Sequence, residues 1–128
     1  MTYKNELIGR EFDWFAVDRD GNAGLFSSAG QGFIPVSVLS NFKEHDVISN
    51  SIDTPNWGSL QVWSDYSEMG LYVYDWKHNG GPYNRVNNPA KEIEKDLRDR
   101  ILALDSLVCL NLVFANSPEI EERQITMC

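Results

Sequence analysis

Two short apolar runs, Trp14 to Val17 and Ala23 to Phe26, flank Asp18-Arg19-Asp20-Gly21-Asn22, and this pattern narrows what the chain can become more than any other. Asp-Gly supplies the positive φ that a tight turn between antiparallel strands requires, so the sequence predicts a β-hairpin here. Ser27-Ser28-Ala29-Gly30-Gln31-Gly32 follows. Its glycines permit sharp turns or close backbone approach, and the loop is expected to pass beneath an aromatic side chain, with contact to a partner as the alternative.

Farther on, Val38, Leu39, Phe42 and Val47 recur at helical spacing after Pro35, predicting a short helix with Lys43-Glu44-His45-Asp46 facing out. Thr54-Pro55 reads as a helix start, Trp57, Leu60, Trp63 or Ser64, and Tyr66 continue it, and Gly70 ends it. Asp65 and Glu68 then share one face of that helix. Leu71 to Trp76 and Tyr83 to Val86 form a second predicted hairpin, with Tyr72, Tyr74 and Trp76 on one side and Leu71, Val73 and Asp75 on the other. Asn88-Pro89 with Ile93, Leu97, Ile101 and Leu104 predicts a third helix. Ser106 to Ala115 suits a central strand and Ile120 to Ile125 an edge strand; residues 1 to 10 suit an edge strand or a tail. The sum is one α+β domain over residues 1–128, a mostly antiparallel sheet of about five or six strands carrying two or three helices.

Charge limits function further. From Glu11 to Asp75 there are ten acids against Arg19 and Lys43, which accounts for the whole formal net charge of -8. A surface for nucleic acid or anionic membrane needs clustered Lys and Arg, so neither is expected as a direct partner. No stretch approaches the ~20 apolar residues of a membrane span, and Met1 to Glu6 lacks the apolar core of a signal peptide, so the expected compartment is the cytoplasm. Cys109 reads as a buried small hydrophobe and Cys128 as a frayed free thiol, unlike a disulfide framework.

Catalytic and cofactor signals are weak. Asp18 to Asn22 resembles the start of a calcium loop, but the glycine comes early and Ala29 stands where the bidentate Glu belongs. Gly30-Gln31-Gly32 lacks the Lys-Ser/Thr ending of a phosphate cradle. His45 and His78 have no neighbours at zinc-ligand spacing. No cofactor and no enzymatic activity are expected. The acids instead lie among aromatic residues, a combination suited to binding a basic protein, with Trp76 and Tyr83, beside turns, the rings expected at the surface.

Asp13-Trp14-Phe15-Ala16-Val17-Asp18, Asp20-Gly21, Phe26-Ser27-Ser28-Ala29-Gly30 and Pro35, with Gly70-Leu71-Tyr72-Val73-Tyr74-Asp75-Trp76 and Tyr83, resemble small bacterial immunity proteins of polymorphic toxin and contact-dependent growth inhibition systems. The resemblance spans residues 12 to 89 in blocks. It implies a non-enzymatic antitoxin that binds a cognate toxin domain, often a basic nuclease, over or near its active site. No family binding residue transfers position by position. The residues themselves nominate Asp18, Asp20, Asp65, Glu68, Asp75, Trp76 and Tyr83 as the toxin-binding set; stoichiometry stays open. A protein-binding adaptor or a small hydrolase is the alternative, the latter requiring a cleft where His45 or His78 meets a carboxylate and a hydroxyl or thiol.

Overall fold

The computed structural model describes residues 12–76 and 80–125. The Asp-Gly turn joins β1 (Asp13–Val17) to β2 (Ala23–Ser27) as an antiparallel hairpin in which Trp14 faces Phe26 and Val17 faces Ala23. The second hairpin also forms, from β3 (Tyr72–Asp75) and β4 (Tyr83–Asn87), with a bulge between Val73 and Tyr74. With β5 (Val108–Cys109) and β6 (Glu119–Ile120), these strands make one six-stranded sheet in the order β5-β1-β2-β3-β4-β6. The chain is thus α+β. Its sheet is mixed, because β2 meets β3 in parallel and β5 joins β1 in parallel.

Among the described residues there are four α-helices: α1 (Val36–Ser40), α2 (Phe42–Ser51), α3 (Val62–Glu68) and α4 (Lys95–Leu102). Each differs from its sequence expectation for a local reason. The helix expected after Pro35 is split at Asn41, whose φ of -132° is not helical and whose side-chain amide donates to the Ser37 carbonyl. The helix expected from Thr54 begins only at Val62, because Gly58 adopts a left-handed φ of 90° and the preceding residues form successive turns. The helix expected from Pro89 begins at Lys95. Before it, the Ala90 N–H bonds the Ser67 carbonyl and the Ser67 hydroxyl bonds the Asn88 carbonyl, holding residues 88–90 against the end of α3.

The segment expected as a central strand instead contributes two residues to the sheet edge. Beyond them it follows the first hairpin: the Leu110 N–H donates to the Val17 carbonyl, and the Leu112 carbonyl accepts from the Arg19 N–H. Leu110, Leu112 and Phe114 drop into the core from this path. Cys109 is half-buried and disulfide-bonded, correcting its reading as a reduced apolar filler; the bond's partner, the expectations for Cys128 and His78, and residues 1 to 10 lie outside the described residues.

Period-two alternation divides the interior into a core on each side of the sheet. Phe15, Val17, Leu25 and Val73 face Ile48, Val62, Tyr66, Leu97 and Ile101 of the helices. On the other side, Trp14, Phe26 and Tyr74 form a cross-strand row with ring centroids 4.5 and 4.9 Å apart, closed by Tyr83, Trp76 and Phe114. The Trp14 indole N–H donates to the Tyr83 oxygen at 3.1 Å, and the Tyr83 hydroxyl donates to the Phe33 carbonyl at 2.7 Å. The glycine loop passes under this cluster as expected: a Cβ on Gly32 would lie 2.9 Å from both the Trp76 ring and the Tyr83 oxygen. No helix among the described residues is long and apolar enough to cross a membrane.

Candidate functional site

The residues nominated from sequence do not gather into one surface. Asp18 is 1% exposed. Its carboxylate accepts from the Asp20 and Asn22 amides, the Asn22 side chain and the Phe114 amide, at 2.8 to 3.1 Å. It therefore ties the hairpin turn to the C-terminal segment and offers nothing to a partner. Asp65 is 8% exposed and accepts from the Asn56 amide and side chain at 2.9 and 2.7 Å. It does not share a solvent face with Glu68, which is exposed. Trp76 and Tyr83, expected at the surface because turns lie beside them, are buried by Gly32, and Gly81 packs on the Trp76 ring. Asp20 is exposed at the turn, and Asp75 is half-buried at the end of β3.

Another surface does gather acids and aromatics. Residues 55–61 are all exposed, and they carry Trp57, 66% exposed, and Leu60, 79% exposed. Large apolar side chains so far from water's exclusion need a reason, since each gives up the ~1.5–3 kcal/mol that burial would contribute. The loop is held in place. The Trp57 N–H bonds the Thr54 carbonyl, the Ser59 N–H and hydroxyl bond the Asn56 carbonyl, and the Ser59 hydroxyl accepts from the Gln61 N–H. Gly58 supplies its left-handed turn with open space around the Cα, and buried Asp65 anchors it through Asn56.

Two adjoining cavities, about 450 and 350 Å³, open beside this loop. Asp13, Trp57 and Tyr66 line both. Asp46, Ser49 and Thr54 complete the first, while Leu60, Val62 and Trp63 make the second more apolar. Asp13 is fixed there: its carboxylate accepts from the Tyr66 hydroxyl at 3.2 Å and the Ser49 hydroxyl at 3.4 Å. Asp13 pairs with Ser27 and Ser27 with Asp75, so the two carboxylates stand two strands apart at one end of the sheet, on its helix-covered face. Asp53 is exposed just before Thr54.

Sequence reading missed this cleft because residues 13, 46, 57 and 66 meet only through the fold. The signal available was the hydrophobic pair Trp57 and Leu60 around Gly58, a glycine that weakens any helix able to bury them.

His45 is placed differently from its expected outward position: it is fully buried and stacked on Phe15. The Phe15 N–H donates to Nδ1 at 3.1 Å, so the ring proton resides on Nε2, which donates to the Ser106 hydroxyl at 2.9 Å. The Ser106 hydroxyl in turn donates a hydrogen bond to Glu44, which also accepts from the Asp105 and Ser106 amides. A hydroxyl, an imidazole and a carboxylate do meet, yet the hydrogen bonds run from His to Ser to Glu. The imidazole has no lone pair toward the hydroxyl, so it cannot take that proton as a general base. Burial pushes His45 down to about 4, against the pull of Glu44 and Asp46. Burial would raise Glu44, but the bonds from Ser106 and the Asp105 and Ser106 amides outweigh it and leave that carboxyl lowered.

No protein-family model matches the chain, and neither a curated protein nor a solved structure matches it.

Proposed function

We propose that this chain is an immunity protein: an antitoxin that binds a cognate cationic toxin domain, most simply a nuclease, and covers its active site. The observation that carries this reading is the anchored loop that presents Trp57 and Leu60 to solvent beside a cleft holding Asp13 and Asp46. Exposed aromatic anchors ringed by polar groups supply binding energy in protein interfaces, and carboxylates facing cations speed association. A nuclease must present cations to phosphate, so an acidic cover competes for the same field. Asp20, Glu68 and Asp75 remain as outlying acids that shape that field; Asp18 and Asp65 leave the contact set and become its internal struts.

Action in the cytoplasm belongs to the same proposal. The Cys109 disulfide counts against it, because reducing compartments keep thiols reduced, and alkylation of Cys109 in freshly lysed cells without reductant distinguishes the two settings.

The decisive experiment co-expresses the chain with candidate cationic nuclease toxin domains, starting with any that a gene immediately upstream encodes. Restored growth, with an association rate that falls between low and high salt while dissociation changes little, is the expected result. Absence of protection, or an affinity indifferent to salt, sinks the reading.

A further inference from the structure

One edge of the sheet is closed by a side chain where a longer strand would otherwise close it. β5 pairs with Ala16 and Val17 and stops short of Phe15, and the Phe15 N–H donates to Nδ1 of His45 at 3.1 Å. We propose that His45 is an acid-operated latch: protonation at Nδ1 releases the edge of β1 and the turn leading into β5, while the rest of the sheet stays formed. The device is independent of what the chain binds.

The latch joins three parts of the chain, and α2 carries both of its jaws. Through Nε2 the imidazole donates to the Ser106 hydroxyl at 2.9 Å, and Glu44 accepts from the Asp105 and Ser106 amides at 3.1 and 3.0 Å. One helix thus holds β1 on one side and residues 105–106 on the other. A second proton on the ring goes to Nδ1 and turns that acceptor into a donor facing the Phe15 N–H. Two donors cannot share the bond. His45 is fully buried and packed on Phe12 and Phe15, so neither the new charge nor the orphaned amide reaches water unless the ring leaves its slot.

Burial holds His45 down to about 4, although Glu44 and Asp46 on its own helix favour the imidazolium. The charges of the neighbouring elements are engaged around it: Asp13 of β1 bonds Ser49, one turn along α2, and Arg100 of α4 bonds Ser51 at the end of α2. Asp105, in the turn before β5, is exposed. A ring released to water regains its ordinary 6.5, so the open form binds the proton more tightly than the closed one. The closed latch is therefore favoured in full above pH 6.5, and the open fraction grows about tenfold per pH unit below that until the folded value is reached. Opening stays local because β5 is two residues long and β1 keeps its five-residue pairing with β2.

The test follows amide hydrogen exchange of the intact chain by NMR between pH 7 and 4.5, corrected for intrinsic exchange rates. Protection of the Phe15 and Ser106 amides should fall about fiftyfold, with Leu25 and Phe26 of β2 changing by less than about threefold. His45→Gln, whose oxygen can accept and whose amide can donate at any pH, should flatten the Phe15 profile to within about twofold. Should that variant not fold, the wild-type ring decides: its nitrogen signals should report the Nε2–H tautomer at neutral pH and a protonation midpoint near 4. Phe15 protection that stays flat in the wild type, a ring that titrates near 6.5, or a loss that Leu25 and Phe26 share in full overturns the proposal.

Discussion

Two groups of large apolar residues have opposite fates. Trp14, Phe26, Tyr74, Trp76 and Tyr83 lie on the sheet face opposite Phe15, Leu25 and Val73, each at most 7% exposed, in one stacked and edge-on cluster. Trp57 and Leu60 stand in solvent on the 55–61 loop, 66% and 79% exposed. The difference is not hydrophobicity but what the backbone around them can do. The first group sits on strands whose alternation points every second ring inward, and small residues, Gly24 and Gly32, give the neighbouring rings room. The second sits on a segment whose left-handed Gly58 turns the chain outward before α3 can bury it. One set holds the molecule together; the other is free to hold something else.

The sharpest way to break that contrast is Phe26→Ala. Phe26 stacks between Trp14 and Tyr74 and touches Tyr83 and Phe114. Its removal leaves a cavity in the middle of the cluster, and a loss of about 3–5 kcal/mol in urea unfolding is expected. A loss under 1 kcal/mol would mean that the rings are not a packed unit.

Acid probes the interior from a second side. His45 is buried neutral, its folded value of about 4 lying below the ordinary 6.5. Because the folded value is lowered, the stability tied to its neutral form is fully present above pH 6.5 and is lost progressively as pH falls toward 4, where the unfolded chain binds the proton and the folded chain does not. The whole effect is about 3 kcal/mol. Comparing wild type with His45→Gln by denaturant unfolding from pH 7 to 4 isolates it from the carboxylates. Parallel curves would show that the imidazole is protonated without penalty.

What was legible in the sequence follows from how far apart the deciding residues lie. Asp20-Gly21 fixes its turn within a few residues, and the alternation of Leu71 to Trp76 fixes which face carries Tyr72, Tyr74 and Trp76, so both hairpins could be read directly. Asp18 looked like a surface acid, since nothing local reveals that Phe114, nearly a hundred residues away, donates its amide to that carboxylate. Trp76 and Tyr83 looked exposed because turn formers surround them, yet Gly32 and Gly81 are what allow loops to close over the rings. Thr54-Pro55 carried a sound helix-start signal that lost to Gly58 and to Asp65 bonding the Asn56 amide, a competitor nine residues downstream. The cleft itself was beyond reach, since β1, α2, the 54–61 loop and α3 each supply part of it.

The smallest expected effect completes the comparison. Trp57→Ala and Leu60→Ala remove large side chains, as Phe26→Ala does, but from positions 66% and 79% exposed. Little apolar area leaves water's reach when these residues fold, so little is lost when they are cut back, and each change should fall within about 0.5 kcal/mol of wild type. The loop should keep its shape, because Asp65, Asn56 and Ser59 hold it through bonds that neither side chain makes. Thermal unfolding of both variants measures this directly, and hydrogen exchange at the Trp57 and Ser59 amides checks the loop. A loss of 2 kcal/mol or more at Trp57 would show that the indole packs down in solution and closes the cleft, erasing the distinction between the two groups; an unchanged midpoint with weakened partner binding would assign that side chain to recognition alone.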